Sequence, residues 1–270
     1  MIRCFFACLC LLLTTGLHAD PLRLAVTTSF ENSGLARVLV PQIRRDTGID
    51  VQLLVVGTGQ AIRLGQAGDV DAILVHSRAA EDAFIAQGHG THRREIMYND
   101  FVVVGPKTDP AQVADTQTAQ AAMTLIHDTQ SKFVSRGDDS GTHKAEQSLW
   151  QSAGLTPSQF GPWYNSVGAG MGSALNTASG LDAYILADRA SWLNFQNKGA
   201  LALLFADDPA LFNQYAFLPV NPAKGDHINH AAARKLETWL LSDTARDSIN
   251  GYKIDDEALF VFNGDNASHP

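Results

Sequence analysis

One segment gathers the residue types that bind an anion: Ser135-Arg136-Gly137-Asp138-Asp139-Ser140-Gly141-Thr142-His143. Arg136 brings a forked positive charge whose geometry suits an oxyanion. Ser140, Gly141 and Thr142 bring hydroxyls and amides to the expected start of a helix, where backbone N–H groups are free and the dipole is positive. Charge, hydroxyls and dipole would converge on one point. Asp138 or Asp139 would cap that helix or hold Arg136 by its other nitrogens. The plain alternative is a capped helix with an exposed salt bridge; Arg136-Gly137-Asp138 as an adhesion tripeptide is a three-residue coincidence.

Three further segments have the same character. Thr27-Thr28-Ser29 follows an apolar run and precedes a helix, so its hydroxyls either meet an anion or are turn residues beside a helix capped by Asn32 or Ser33. Val56-Gly57-Thr58-Gly59-Gln60 again leads from a strand to a helix. Ile62 replaces the third glycine of a dinucleotide fingerprint and no Gly-Lys-Ser/Thr occurs, so a nucleotide is disfavoured, while anion contact and a simple turn stay open. Val167-Gly168-Ala169-Gly170-Met171-Gly172-Ser173 either closes over a ligand through its backbone or makes a tight turn.

Other chemistries fare worse. Ser140 and His143 lie three apart at one helix start, unlike a nucleophile and its base, and no G-x-S-x-G elbow occurs. His89/His92 and His227/His230 have i, i+3 spacing with no cysteine or acidic partner beside them, so surface or capping roles fit better than a metal site. The chain has 270 residues, 45% hydrophobic and 18% charged, with a formal charge of −8. It is too apolar for disorder and too acidic for a general nucleic-acid binder, and the expected partner is a small molecule.

The elements that must hold these segments alternate. Strands are expected at Leu22–Val26, Val51–Val56 and Asp71–Val75, with helices over Ser33–Thr47, after Gly57 and over Arg78–Gln87. A long strand over Glu95–Gly105 would cross into a second unit. There a helix near Gln112–Thr129, strand Phe133–Ser135, helix Thr142–Ala153, strand Trp163–Val167, helix Gly170–Ser179 and strand Ala183–Leu186 repeat the pattern. Leu201–Phe205 and Tyr215–Val220 lead back, and helix Ile228–Leu241 packs on the first unit. Strand-helix alternation of this kind implies parallel sheets covered on both faces, in two lobes with a cleft between them.

The first 19 residues have a basic start at Arg3, an apolar run from Cys4 to Leu13, a small polar step and Ala19. They read as a cleaved export signal rather than a membrane anchor, which needs roughly 20 apolar residues, or a lipoprotein signal ending at Cys8 or Cys10. Cleavage removes Arg3 and all three cysteines and leaves 19 basic against 28 acidic residues, a charge of −9. The remainder carries no apolar stretch long enough to span a bilayer and must be stable without disulfides.

With these segments in view, the chain resembles the substrate-binding proteins of tungstate ABC importers. The resemblance lies in Thr27-Thr28-Ser29 with Glu31-Asn32-Ser33-Gly34, Val56 to Gln60, Gly68-Asp69-Val70-Asp71 with Val75-His76, Met97 to Val102, Ser135 to His143 and Gly170-Met171-Gly172. It covers nearly all of the mature chain. Val26 stands where that family has the first of three threonines. What the resemblance implies is a two-lobed α/β fold of the type II periplasmic binding proteins, with 20–105 plus 206–270 as lobe one and 106–205 as lobe two. It also implies a periplasmic, monomeric protein that is not an enzyme, holds no cofactor or free metal cation, and hands tungstate, or also molybdate, to a permease and its ATPase. The implied contacts are Thr28, Ser29, Thr58, Arg136, Ser140 and Thr142, supported by Thr27, Gly141, Gly170, Met171 and Gly172. A phosphate- or sulfate-type binder and a periplasmic sensor are the alternatives. Phosphate-binding proteins share a segment similar to Arg136–Thr142 but place an acid after the third strand, where this chain has His76-Ser77. A protonated anion needs such an acceptor and a fully ionised one does not.

Overall fold

A computed structural model of the chain describes residues 21–264; the export signal expected over 1–19 lies outside the described residues. Strand β1 (Leu22–Thr27) runs directly into α1 (Thr28–Ser33). Gly34, at φ 83°, ends α1 and begins α2 (Leu35–Thr47). The helix expected over Ser33–Thr47 is α2, and α1 is an additional short helix ahead of it, so Thr28 and Ser29 sit on a helical turn rather than in a loop. Thr27 caps α1, its hydroxyl accepting from the Phe30 N–H at 3.2 Å, while α2, the helix expected to be capped by Asn32 or Ser33, has Gly34 as its cap and Ser33 Oγ accepting from the Leu35 N–H at 3.3 Å. The break falls at Gly34 because a left-handed residue there costs glycine nothing.

Strand β2 (Val51–Val56), α3 (Thr58–Ala67), β3 (Ala72–Val75), α4 (Arg78–Ala86) and the 13-residue β4 (Arg94–Pro106) follow. Helix α5 (Ala119–Asp128) begins later than expected from Gln112, where Thr118 caps it. Then come β5 (Phe133–Ser135), α6 (Gly141–Ser152), β6 (Tyr164–Ser166), α7 (Met171–Leu181) and β7 (Tyr184–Asp188). The short α8 (Arg189–Asn194), β8 (Leu201–Phe205) and β9 (Phe212–Pro219) lead to α9 (His230–Leu240) and α10 (Asp243–Asn250). A small hairpin of β10 (Lys253–Ile254) and β11 (Glu257–Ala258) and the edge strand β12 (Val261–Phe262) complete the described chain.

The strands hydrogen-bond in the order β2-β1-β3-β9-β4-β7-β5-β6, with β8 and β12 also on β4. Neighbours are parallel in β2-β1-β3 and in β7-β5-β6, and antiparallel wherever β9 or β4 takes part. Strand β4 changes partners along its length: Arg94–Asp100 pair with β9, and Phe101–Val104 pair with β7. Two sheets, each with three parallel strands, thus share one strand.

Both faces of each sheet are covered. On the first, one apolar layer joins Leu24, Val26 and Leu74 to Leu39, Ile43, Leu236 and Trp239 of α2 and α9. The other layer joins Ile73 and Val75 to Ala61, Ile62 and Phe84 of α3 and α4. On the second, Phe133, Leu186 and Val103 meet Trp150, Met123 and Ile126 of α6 and α5. Helix α9 packs on the first sheet as its spacing predicts. Val26 is buried in the first layer, so its departure from threonine removes no hydroxyl from the cleft. The mixed α/β class and two-sided covering predicted from the alternation are present.

Candidate functional site

Parallel strands bring their carboxyl ends, and the helices that follow, to one side of a sheet. Here β1, β2 and β3 end at Thr27, Val56 and Val75, and β5, β6 and β7 end at Ser135, Ser166 and Asp188. The two sets meet across a cleft. Its outer part is a cavity of about 570 Å³ lined by Thr28, Gly57, Arg136, Gly170, Met171 and Gly172, among others. Its inner end is a pocket of about 10 Å³ lined by Thr27, Thr28, Ser29, Gly57, Thr58, His76, Arg136, Ser140, Gly141 and Thr142. A space of this size holds about one water molecule, so the two walls stand close together here. All six side chains expected as contacts line the inner pocket, with Thr27 and Gly141 beside them. Gly170, Met171 and Gly172 line the outer cavity instead.

The helix starts are built to leave donors for a ligand. Gly57 and Gly170 cap α3 and α7 without a side chain, so the first-turn amides of these helices take no side-chain cap. The Ser140 hydroxyl, whose hydrogen is shared with the neighbouring Asp138, caps α6 by accepting from the His143 N–H at 3.2 Å. This contact also makes the Ser140–His143 spacing a cap, not a nucleophile with its base. Among the described residues, the hydroxyls of Thr28 and Thr58 meet no protein partner, although Thr58 is 1% exposed.

Arg136 is buried at the cleft wall. Its Nη2 donates to Asp138 Oδ2 at 2.5 Å, Nη1 lies 3.5 Å from Thr142 Oγ1, and buried Nε has no partner. Gly137, at φ 64°, makes the turn that directs this side chain inward, and a Cβ there would strike Ser166. Both oxygens of Asp138 are occupied, Oδ2 by Arg136 and Oδ1 by the Ser140 N–H at 3.2 Å. Burial alone would raise its carboxyl, but hydrogen bonds from Ser140 and Arg136 and the guanidinium charge outweigh it and hold Asp138 below the usual carboxylate range. Of the two aspartates, Asp138 does the holding; Asp139 is exposed and lies 3.3 Å from Lys144.

Beneath the hydroxyls lies a buried polar floor that sequence spacing did not expose. Ser29 Oγ is 2.9 Å from Thr27 Oγ1, 3.0 Å from His76 Nε2 and 3.2 Å from Tyr215 OH. Asp188 caps α8 through the Ser191 N–H at 2.9 Å. Burial raises its carboxyl, against the backbone bond from Ser191 and the Arg136 charge. His76 was findable, since it follows β3 as Thr28 follows β1 and Gly57 follows β2; Tyr215 and Asp188 arrive from remote strands that no local motif marks. The paired histidines are structural: His92 Nε2 lies 2.7 Å from Glu237, His89 Nδ1 2.7 Å from Lys224 Nζ, and His227 Nε2 3.0 Å from the Gly68 carbonyl. Among the described residues no cluster of three His, Cys, Asp or Glu is arranged to hold a metal ion.

No acid lines the inner pocket. One guanidinium and a shell of hydroxyl and amide donors can compensate a buried oxyanion whose every oxygen is an acceptor.

The chain is similar to known proteins over most of its length. A family model described as a PBP superfamily domain matches residues 15–244. The tungstate-binding protein TupA of Peptoclostridium acidaminophilum is 44% identical over 231 residues, 85% of this chain and 80% of that one. The structure of the tungstate-binding protein TupA from Desulfovibrio alaskensis G20 superposes with a TM-score of 0.82 at 40% identity, covering 90% of this chain and 99% of that one. That of the tungstate ABC transporter from Geobacter sulfurreducens gives 0.79 at 43% identity, covering 86% and 99%.

Proposed function

The chain belongs to the PBP superfamily and, within it, to the tungstate-binding proteins, and from that premise we propose that it binds one tungstate, and more weakly molybdate, in the inner pocket. It is a substrate-binding protein of an ABC importer; its work is capture and release, not turnover. The ligand contacts are Thr28, Ser29 and Thr58 from the first sheet and Arg136, Ser140 and Thr142 from the second, with Thr27, Gly141 and the Gly170–Gly172 backbone in support. The two lobes are read as 20–105 plus 206–270 and 106–205, one built on each sheet, with the partner change within β4 putting the crossing between them at Asp100–Phe101, a few residues before 105. Export of the mature chain to the periplasm and delivery to a permease and its ATPase complete the reading. Among the described residues no helix is long and apolar enough to cross a membrane, in keeping with a binding protein of this kind.

The observation that carries the choice of ligand is the pocket with one cation, several neutral donors and no carboxylate. Tungstate, molybdate and sulfate are fully ionised at neutral pH and need donors only, whereas hydrogen phosphate must place a proton on an acceptor. Asp138, the nearest acid in sequence, has both oxygens engaged. Calorimetric titration of the mature protein with tungstate, molybdate, sulfate and phosphate tests this. Tungstate is expected to bind tightest, molybdate next, and sulfate and phosphate barely; phosphate winning over tungstate would overturn the assignment.

A further inference from the structure

His76 stands at the cleft end of β3 and reaches both walls. It is 8% exposed; its ring lies 4.7 Å from the Tyr215 ring, centroid to centroid. On the far side it presses against the first turn of α6, where a Cβ at Gly141 would overlap the imidazole. Burial first, and the Arg136 charge in the same direction, lower its pKa to about 4. The ring is therefore neutral at physiological pH and carries one N–H.

Hydrogen-bond accounting places that proton. Nδ1 is buried with no partner at hydrogen-bond geometry. Asn213 is near the ring, and its carbonyl oxygen is what an Nδ1–H would need, its Nδ2 donating to Asn99 Oδ1 at 2.7 Å; yet Nδ1 reaches no partner at hydrogen-bond geometry. A proton on Nδ1 would be a buried unsatisfied donor, and on Nε2 it meets Ser29 Oγ at 3.0 Å. Ser29 has one hydrogen and two lone pairs. If it accepts from His76 and from one of its hydroxyl neighbours, Thr27 or Tyr215, its own hydrogen is left for the pocket.

We propose that His76 is a positioning residue that sets selectivity: by donating Nε2–H to Ser29 Oγ it turns the serine hydrogen into the pocket, so that this wall offers donors to a proton-free oxyanion and no acceptor to a protonated one. The proposal rests on the oxyanion reading above and deepens it.

Titration of tungstate and phosphate into the wild-type protein, His76→Gln, His76→Ala and His76→Glu tests it, with thermal melts to confirm folding. The glutamine amide can donate from the place of Nε2 and is expected to keep tungstate affinity within about threefold, whereas alanine loses about tenfold, the scale of one hydrogen bond. Glutamate takes the serine hydrogen for itself and offers an acceptor. It is expected to cost tungstate about a hundredfold or more and to raise phosphate binding relative to tungstate by at least about tenfold, since repulsion acts on both dianions alike. Glutamine falling as far as alanine, or an unchanged phosphate-to-tungstate ratio in His76→Glu, would overturn the role. The glutamine and alanine pair decides it even if the glutamate variant does not fold. Wild-type binding with indifferent variants sinks this inference alone; a wild-type protein that takes up no oxyanion sinks the reading beneath it.

Discussion

Arg136 is the one cation among the residues lining the inner pocket, and its geometry separates charge from shape. Asp138 holds Nη2, while Nε is unpartnered and Nη1 has only a long contact to Thr142. Those two nitrogens keep N–H groups free to donate to an anion. Arg136→Lys keeps the charge and loses the fork, and is expected to weaken tungstate binding about tenfold. Arg136→Gln loses both and is expected to cost about two to three orders of magnitude, the penalty of a buried charge left without its partner. Calorimetry reads the affinity and circular dichroism the fold; glutamine binding as well as arginine would remove residue 136 from the site. This side chain was legible because glycine, two acids and three hydroxyl- or amide-bearing residues crowd around it in one segment. Tyr215 and Asp188 were not read as parts of the site, since their polar roles exist only once β7 and β9 lie beside β4; His76 directly follows β3 and was read only as standing where a phosphate binder has its acid.

Helix α6 joins that site to the interior, for the helix that presents Ser140 and Thr142 at its start buries Glu146 one turn further on. Glu146 Oε1 accepts from Trp150 Nε1 at 3.1 Å and from Tyr164 OH at 2.7 Å. Burial, against hydrogen bonds from Tyr164, Ser135 and Trp150, pushes its carboxyl up to about 7. Both donors use Oε1, so Oε2 is the oxygen that takes the proton. The folded protein thus holds a proton that the unfolded chain releases near its ordinary value of 4.5. Stability from this group is full below that value and is lost as pH rises towards 7, by on the order of 3 kcal/mol. Glu146→Gln keeps the accepting oxygen and removes the titration. In urea denaturation it is expected to match the wild type near about pH 5 and to exceed it by on the order of 3 kcal/mol near about pH 8; the same difference at both pH values would sink the idea. Sequence periodicity found α6 to within a residue at each end, as it did α4 and β4, because strong apolar spacing and a serine cap mark it. It missed the helices α1, α8 and α10, which are short and owe their place to tertiary packing rather than to pattern.

At the scale of the whole molecule, two sheets share β4, and a cluster of charges ties the crossing points together. Arg189, first residue of α8 in the second sheet, grips Asp100 with two bonds of 2.8 and 2.5 Å, at the position where β4 changes partners. It also lies 3.5 Å from Asp207 on the return path and 3.8 Å from Glu257 of the C-terminal hairpin. The joint is thus fixed on its outer side, and the inner pocket is the place where a ligand could bridge the sheets. The overall charge of −8 does not oppose this, because charges outside a Debye length of about 8 Å are largely screened at physiological salt while Arg136 sits in the wall itself. A bridging ion must protect both sides at once. At a free tungstate concentration of about a hundred times Kd, linkage adds about 2.7 kcal/mol to stability, which for a chain of this size raises Tm by roughly 5–10 °C. Amide hydrogen exchange then locates the effect. Slower exchange is expected together in the first turns of α3, from the first sheet, and of α6, from the second, as their free N–H groups gain partners. Protection confined to one sheet, with the other exchanging as it does without tungstate, would mean that the ion sits on a single wall and that the cleft does not close around it.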